Sequence, residues 1–244
     1  MTDRVALVTG GTRGLGAALS AALVDRGTRV FAAYRSDAEA ANALAQRCGP
    51  GVEIVQVDVT DPVACRSLVT HVTATAGRLD YLVNNAGAVR ESKVADIDDR
   101  AWERSIALNL SAAFHLTQAA LGPMRAQRFG RVVNVSSVSA TMGTPYQVDY
   151  AAAKSGLIGL TRSLARAVTR QSITVNCLLL GGFATELLDD LTLTDATMIE
   201  SSVPVGRFGR PEEFVHAALA LLDEHASYIT GATLAVDGGL GMGH

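Results

Sequence analysis

A tyrosine and a lysine, Tyr150 and Lys154, stand four residues apart in a stretch that predicts a helix. Side chains at positions i and i+4 share one helix face, so the phenol and the ammonium are expected to be neighbours. Lowering a phenol pKa from about 10 to about 7 requires roughly 4 kcal/mol of preference for the phenolate. An ammonium about 4 Å away supplies roughly that at an effective dielectric near 20. The pair could therefore exchange protons near neutral pH.

Hydroxyl and amide side chains end the apolar runs before this pair. One run ends in Ser136 and Ser137, and Ser137 lies thirteen residues before Tyr150. The preceding run ends in residues 84–87, Asn-Asn-Ala-Gly. Ligands of parallel sheets bind at the carboxyl ends of strands. Asn109 lies in the apolar helical stretch 106–110, where it either serves a site or caps a bent helix.

A glycine turn, formed by Gly10, Gly14 and Gly16, follows the first predicted strand. Such a turn lets the backbone approach a pyrophosphate, and the next helix offers its N–H groups and positive dipole end. The spacing is wider than G-x-G-x-x-G, and no Gly-Lys-Ser/Thr of a P-loop is present. The turn predicts a dinucleotide site, although a turn required only for packing would look similar.

The end of the second predicted strand indicates which dinucleotide binds. An acidic residue there favours NAD, whereas an arginine accommodates the 2′-phosphate of NADP. This chain has Arg35 and Ser36 there, with Arg13 in the glycine turn. NADPH is therefore expected, although Asp37 is close and both arginines could be ordinary surface charges.

Short apolar runs alternate with helical patterns along the whole chain, which predicts strands buried on both faces and joined by helices. The expected fold class is α/β: a single-domain Rossmann fold over residues 1–244, with a doubly wound parallel sheet of about seven strands and helices on both faces. Residues 182–205 break the alternation and predict a substrate lid, or a surface excursion without a role. The predicted strands are 5–8, 30–34, 52–57, 79–84, 132–135, 174–179 and 233–236. The predicted helices are 15–24, 37–47, one from about 62, 99–127, 150–169 and 211–222.

Composition excludes several classes of protein. The net charge is -3 and the pI is about 5.9, so there is no basic excess for nucleic-acid binding. The first apolar segment, 5–8, is too short for a signal peptide or a membrane span. Three widely spaced cysteines and five scattered histidines predict neither a disulfide nor a metal site, and fit a reducing cytoplasm.

The motifs Thr9-Gly10…Gly14-x-Gly16, Asn85-Ala86-Gly87, Asn109, Ser137 and Tyr150-x-x-x-Lys154, in this order and spacing, resemble the short-chain dehydrogenase/reductase family. The resemblance extends over the chain to 236–239. It is strongest to bacterial 3-oxoacyl-[acyl-carrier-protein] reductases and to acetoacetyl-CoA and polyketide ketoreductases.

The resemblance implies a role for each catalytic position. Tyr150 protonates a ketone oxygen as hydride arrives, and Ser137, with Ser136 as its rival, polarises that carbonyl. Lys154 lowers the tyrosine pKa and binds the nicotinamide ribose, and Asn109 holds a water that passes protons to it. The implied NADPH-binding residues are Gly10, Thr12, Arg13, Gly14, Leu15, Gly16, Arg35, Ser36, Asp58, Val59, Asn85, Ala86, Gly87, Tyr150, Lys154, Gly181 and Thr185.

The resemblance also implies partners. Arg128 and Arg170 would meet an acyl carrier protein near the site entrance, and helices around 109–127 and 150–169 would build a homotetramer. Three departures weaken an assignment to primary fatty-acid synthesis. Leu180-Gly181-Gly182 replaces a Pro-Gly, and 91–93 (Glu-Ser-Lys) are more polar than the family pattern. The second carrier-binding arginine of the family falls on Gln171, with Arg170 next to it.

Two alternatives remain open at this point. One is an NAD(P)-dependent alcohol, sugar or steroid dehydrogenase that acts on a free small molecule. The other is a non-catalytic protein that binds NADPH, which would be expected to have lost the Tyr-Lys pair that this chain retains.

Overall fold

The computed structural model describes residues 4–185 and 200–243. Its strands are β1 (Val5–Thr9), β2 (Arg29–Tyr34), β3 (Val52–Gln56), β4 (Tyr81–Asn84), β5 (Gly130–Ser137), β6 (Ile173–Leu180) and β7 (Thr233–Val236). The helices used below are α1 (Gly14–Asp25), α2 (Ala38–Cys48), α3 (Pro62–Ala76), α4 (Asp99–Ile106), α5 (Ala112–Ala126), α6 (Ser139–Met142), α7 (Val148–Val168) and α8 (Pro211–Leu222).

The strands form one parallel sheet in the order β3-β2-β1-β4-β5-β6-β7. The strand order reverses between β1 and β4, and in open α/β sheets ligands bind in the crevice at the carboxyl ends of strands at such a reversal. The predicted doubly wound Rossmann fold is confirmed. The glycine turn after β1 and the Asn-Ala-Gly segment after β4 are therefore neighbours at this crevice.

Strand β1 shows why apolar runs without alternation become central strands. Val5 and Leu7 pack into one hydrophobic core, with residues of α3, α5 and α7. Ala6 and Val8 pack into the other, with residues of α1, α2 and α8. Because both faces of a parallel sheet are covered by helices, neither set of side chains can be polar.

The helical region predicted at 99–127 is divided in the structure. α4 ends at Ile106, a π-helical turn occupies Ala107–Ser111, and α5 follows directly. Asn109 lies buried within that turn. Turns of this type accommodate an extra residue in a helix and occur frequently at functional sites. The short helix α6 was not predicted.

Most of the predicted lid, residues 186–199, lies outside the described residues, so the lid stays a prediction. Both described ends of the segment form backbone hydrogen bonds with residues outside it. The Ala184 amide donates to the Gly209 carbonyl at 2.8 Å, and the Val205 amide donates to the Gly238 carbonyl at 3.2 Å. No helix in the described ranges is long and apolar enough to cross a membrane.

Candidate active site

The glycine turn needs its glycines for conformation and for space. Gly10 and Gly14 have positive φ values of 59° and 49°, in the left-handed region that favours glycine. A Cβ on Gly16 would collide with the Gly10 carbonyl oxygen and lie 2.7 Å from Asn85 Nδ2. Side chains are thus excluded where the turn folds back against the segment that follows β4.

The amino terminus of α1 lacks the caps that neighbouring helices have. Its N-cap residue, Arg13, makes no capping hydrogen bond, and its first turn has no acidic residue. Aspartates cap α2, α3 and α4 through their side chains, at Asp37, Asp61 and Asp98. Uncapped N–H groups at a helix start favour anions. The turn and the helix therefore fit the pyrophosphate of a dinucleotide.

The other predicted residues of this turn lie around it. Thr12 is buried, and Leu15 is half-buried in the first turn of α1. A Cβ on Gly14 would lie 3.7 Å from Thr185 Cγ2, so Thr185 faces the turn from the far side of the crevice. Gly181 is closely packed, since a Cβ there would lie 2.8 Å from Asp237 Cα.

Thr9 connects the glycine turn after β1 with the segment that follows β4. It was not among the predicted site residues. Its Oγ1 accepts hydrogen bonds from the amides of Asn85 and Ala86, both at 3.0 Å. Asn85 Nδ2 in turn donates to the carbonyls of Thr9 and Gly10, at 2.9 and 3.1 Å. A hydroxyl at the last position of an apolar strand, directly before a glycine turn, was the signal available in the sequence.

Positive side chains lie at the predicted adenosine end. Arg13, Arg35 and Ser36 are exposed, and Arg13 Nη1 lies 3.4 Å from Asp37 Oδ2. A surface pair at this distance contributes little to stability. Arg13 can therefore exchange its aspartate partner for a phosphate at small cost.

Asp58 and Val59 follow β3 at the same end. Hydrogen bonds from the amide and hydroxyl of Thr60, and the nearby charge of Arg35, hold the pKa of Asp58 below its usual value. Both Thr60 donors reach the same Asp58 oxygen, at 2.9 and 2.7 Å. Val59 is buried. The loop after β3 is thereby fixed with an ionised carboxylate near Arg35.

Tyr150 and Ser137 face each other across the crevice. Burial raises the pKa of Tyr150, and a hydrogen bond from the Ser137 side chain lowers it, with burial the larger effect. Ser137 Oγ also accepts from Ser139 Oγ at 2.9 Å, so its own proton is free to point at the tyrosine or at a substrate. Ser139, on the unpredicted helix α6, was not identified from the sequence.

Lys154 is buried, and its ammonium lies 5.5 Å from the centroid of the Tyr150 ring. Its Nζ donates to the Val135 carbonyl at 2.7 Å. Burial lowers the pKa of Lys154 to about 8. In this structure the ammonium is bonded to β5 and burial is the larger effect on the Tyr150 pKa, so the lowering of that pKa by Lys154 stays a prediction.

The two adjacent serines have different surroundings. Ser136 Oγ donates to the Lys154 carbonyl at 2.8 Å and is buried, so it attaches α7 to β5. Ser137 is the serine that faces Tyr150. The alternation of side chains along β5 separates the two, since successive residues point to opposite sides.

Asn109 and Lys154 converge on Gly87. The Asn109 side chain accepts from the Ala88 amide at 3.1 Å and donates to the Ala88 carbonyl at 3.0 Å. A Cβ on Gly87 would lie 2.9 Å from Asn109 Oδ1 and 3.2 Å from Lys154 Nζ. The structure therefore brings together the four predicted catalytic side chains and the Asn-Ala-Gly segment.

Arg128 and Arg170 do not join this cluster. Arg128 lies shortly before the start of β5 and Arg170 shortly before the start of β6, at the end of these strands opposite Ser137. The length of β5 separates the two edges by about 23 Å, at roughly 3.3 Å per residue. Both arginines therefore lie far from Ser137 of their own chain, and their contact with a carrier protein stays a prediction.

Within the described ranges, no group of three or more His, Cys, Asp or Glu side chains could hold a metal ion. The charges around the crevice come instead from the arginines, the buried lysine and the helix terminus.

Comparison with known proteins shows which protein family this chain resembles. A family model described as enoyl-(acyl carrier protein) reductase matches residues 10–241. The 3-oxoacyl-[acyl-carrier-protein] reductase of Salmonella typhimurium is 39% identical over 239 residues, covering 98% of each chain. The acetoacetyl-CoA reductase of Rhizobium meliloti is 38% identical over 240 residues, covering 97% of this chain and 98% of the relative.

A solved structure has a similar fold over nearly the whole chain. A putative short-chain alcohol dehydrogenase from Sinorhizobium meliloti 1021 superposes with a TM-score of 0.91 at 34% identity, covering 98% of this chain and 97% of that one. The chain belongs to the short-chain dehydrogenase/reductase family. It is an oxidoreductase that acts on ketone and CH–OH groups with a nicotinamide cofactor.

Proposed function

We propose that this protein uses NADPH to reduce the ketone of a β-ketoacyl thioester, carried by acyl carrier protein or CoA, to a hydroxyl. The observation that carries the proposal is the pairing of Ser137 with the half-buried Tyr150, whose ring lies beside the Lys154 ammonium. Whole-length similarity to relatives named for 3-oxoacyl and acetoacetyl substrates supports the thioester class.

The bound nicotinamide would supply the hydride to the carbonyl carbon. Tyr150 would donate its phenolic proton to the carbonyl oxygen, and its raised pKa keeps that proton in place at neutral pH. Ser137 would donate a hydrogen bond to the same oxygen, where negative charge develops. Lys154 would bind the nicotinamide ribose, and Asn109 would hold a water that returns a proton through Lys154.

NADPH, rather than NADH, is supported by the charges at the adenosine end. Arg13 and Arg35 are exposed there, and β2 ends without an acidic residue at the position of Arg35. Guanidinium groups bind phosphate oxygens in bidentate geometry. Ser36 would add a hydroxyl donor to the 2′-phosphate.

A carrier protein held by Arg128 and Arg170 would lie far from this chain's own site. We infer that these arginines would serve the site of a neighbouring copy in a homotetramer, in the cytoplasm.

The second candidate function is dehydrogenation of a free alcohol, sugar or steroid. The exposed carboxylate of Glu91 beside the crevice favours it, since a negative charge repels phosphorylated carriers.

The test compares initial rates of NADPH and NADH oxidation with acetoacetyl-CoA and with the acetoacetyl thioester of N-acetylcysteamine. The expected result is NADPH-dependent turnover that Tyr150→Phe lowers at least 100-fold and that Tyr228→Phe leaves unchanged. Tyr228 is a matched control because its side chain is fully exposed. Turnover of free ketones or sugars alone, with no thioester reduced, would overturn the thioester proposal in favour of the second candidate.

A further inference from the structure

The Ser137 hydroxyl has both of its acceptor positions occupied by one residue. Ser139 Oγ donates to Ser137 Oγ at 2.9 Å, and the Ser139 amide donates to the same oxygen at 3.3 Å. A serine hydroxyl has two lone pairs that accept hydrogen bonds and one O–H that donates. Because both lone pairs are used, the proton is the part of the Ser137 hydroxyl that remains for Tyr150 or for a substrate.

The burial of Ser139 determines which of the two hydroxyls is the donor. Ser139 is buried, and Ser137 is the only hydrogen-bond partner of its Oγ among the described residues. If Ser137 donated to Ser139, the Ser139 proton would be buried without an acceptor, which is unfavourable. The hydrogen bond therefore runs from Ser139 to Ser137.

The segment that carries Ser139 is bonded to two neighbouring elements. The Val138 amide donates to the Leu180 carbonyl at 2.8 Å, at the end of the adjacent strand β6. Ser155 Oγ, on α7, donates to the Ala140 carbonyl at 2.6 Å. The Ser139 hydroxyl is thereby held at a fixed position relative to β6 and to the helix of the catalytic tyrosine.

The direction of the hydrogen bond between the serines affects Tyr150. Burial raises the pKa of Tyr150, and a hydrogen bond from the Ser137 side chain lowers it by a smaller amount. The lowering requires Ser137 to donate, since a hydrogen bond to the charged form favours that form. If Ser137 instead accepted the phenolic proton, that proton would be held between the two residues and directed away from a substrate oxygen.

We propose that Ser139 is a positioning residue that acts through Ser137. Its hydroxyl occupies Ser137 as an acceptor, so that Ser137 donates to the substrate carbonyl and Tyr150 gives its proton to the same oxygen. This inference rests on the roles of Ser137 and Tyr150 in the proposed function, and not on the thioester class of the substrate. A donor that is aligned before the reaction stabilises the developing charge without reorganisation.

The first test measures reduction of acetoacetyl-CoA by NADPH. We expect Ser139→Ala to lower kcat about 5- to 10-fold with little change in KM, since one neutral hydrogen bond is lost and the bond from the backbone amide remains. Ser139→Thr keeps a hydroxyl and should retain most of the wild-type rate. Thr141→Val is the matched control, because Thr141 is an exposed hydroxyl residue of α6 that donates to the Val138 carbonyl.

The pH profile distinguishes positioning from a structural effect. It is measured for oxidation of 3-hydroxybutyryl-CoA by NADP+, in which Tyr150 must lose its proton before it can act as the base. In Ser139→Ala the Ser137 hydroxyl is able to accept from the phenol, so the low-pH limb of log kcat/KM should move up by about 0.5–1 pH unit. Ser139→Thr should restore the limb, and Thr141→Val should leave it in place.

The other titratable groups near Tyr150 are the same in every variant. Asp149 and Lys154 lie beside it on α7, and α6 has no titratable side chain. The pKa of Lys154 is about 8, so its ionisation contributes to each profile. The difference between variants, rather than the position of any one limb, therefore reports the change at Tyr150.

A double variant tests whether Ser139 acts through Ser137. Once the Ser137 hydroxyl is absent, Ser139→Ala should have no further effect on kcat, so the effects of Ser137→Ala and Ser139→Ala should not add. Thermal unfolding of each variant measures stability separately. Ser139→Cys, which has a weaker donor in place of the hydroxyl, should shift the pH profile in the same direction as Ser139→Ala and serves if the alanine variant folds poorly.

The outcomes separate this inference from the proposed function. An unshifted limb in Ser139→Ala, or a loss of rate that adds to that of Ser137→Ala, would overturn the positioning role and leave the reductase intact. Full activity of Ser137→Ala would overturn the role of Ser137 and this inference with it. A wild type that reduces free ketones and no thioester would overturn the thioester proposal alone, and the same variants are then compared with that ketone.

Discussion

At the scale of single residues, the buried charge of Lys154 has a consequence for stability. Its ammonium is bonded to the Val135 carbonyl, and burial lowers its pKa from 10.5 to about 8. Between these values the unfolded chain binds more protons than the folded protein. The free energy of unfolding therefore rises with pH in this window. Each pKa unit corresponds to about 1.4 kcal/mol, so the effect amounts to roughly 3–4 kcal/mol at most.

Replacing the lysine should remove this dependence on pH. We expect Lys154→Met to raise the free energy of unfolding relative to wild type at pH 7, and to lose that advantage between pH 8 and 10.5. Denaturant unfolding of both proteins across this range measures it. A constant difference between the two proteins would show that Lys154 titrates normally.

The two serines at the end of β5 should separate stability from catalysis. Ser136→Ala removes the bond to the Lys154 carbonyl, and we expect a loss of about 1–2 kcal/mol in the free energy of unfolding with a small loss of activity. Ser137→Ala should lower kcat by about 100-fold or more with little change in stability, because its hydroxyl faces Tyr150.

Denaturant unfolding and kcat for both alanine variants decide the assignment. The reverse pattern, with activity lost mainly in Ser136→Ala, would show that Ser136 and not Ser137 is the catalytic serine.

At the scale of elements, the proposed preference for NADPH depends on the glycine turn and the end of β2 together. Replacing either Arg13 or Arg35 with serine should lower kcat/KM for NADPH by about 10- to 100-fold and leave NADH almost unaffected, because one charged hydrogen bond contributes roughly 1.5–3 kcal/mol. The selectivity of the wild type should also fall with ionic strength. Arg47→Ser, an exposed arginine of α2, is the matched control.

The elements themselves were largely predictable from the sequence. Runs such as 5–8, buried on both faces, and the turn after them define a covered parallel sheet without further information. The π-helical turn around Asn109 was not predictable, because its extra residue is stabilised by contacts with Ala88 rather than by local pattern. Thr9 with Asn85 is a contact between distant segments, which one sequence does not show.

The family resemblance implied that Arg128 and Arg170 meet a carrier protein near the site entrance, whereas the fold places both far from the site of their own chain. Arg128 and Arg170 precede their strands, so the direction of β5 and β6 puts them at the opposite edge from Ser137. The direction of each strand, together with the site's location at the carboxyl ends, would have been sufficient to notice this.

At the scale of the whole molecule, large apolar side chains are exposed on α4 and α5. Trp102 is 42% exposed and Phe114 is 39% exposed. α4 packs against α7, and α4 and α5 both adjoin the π-helical turn that holds Asn109. The interface predicted around 109–127 and 150–169 includes Phe114 of α5. We expect the wild type to be a homotetramer, and Phe114→Glu to shift it to smaller species with a lower, concentration-dependent Tm.

Light scattering after size exclusion, at several protein concentrations, measures this assembly. Val63→Glu is the control, because Val63 is 58% exposed at the start of α3, outside the two segments predicted to form the interface. A monomeric wild type, or a tetramer that Phe114→Glu leaves intact, would exclude this helix face as the interface.

Because the start of α1 is uncapped, the stability of the folded protein depends on the ligand that binds there. A helix whose first N–H groups lack side-chain partners frays easily, and a phosphate that binds them completes the helix as well as the site. Any ligand that binds only the folded state reduces the unfolded population that proteases attack. The lifetime of this protein in a cell should therefore lengthen and shorten with the supply of its dinucleotide.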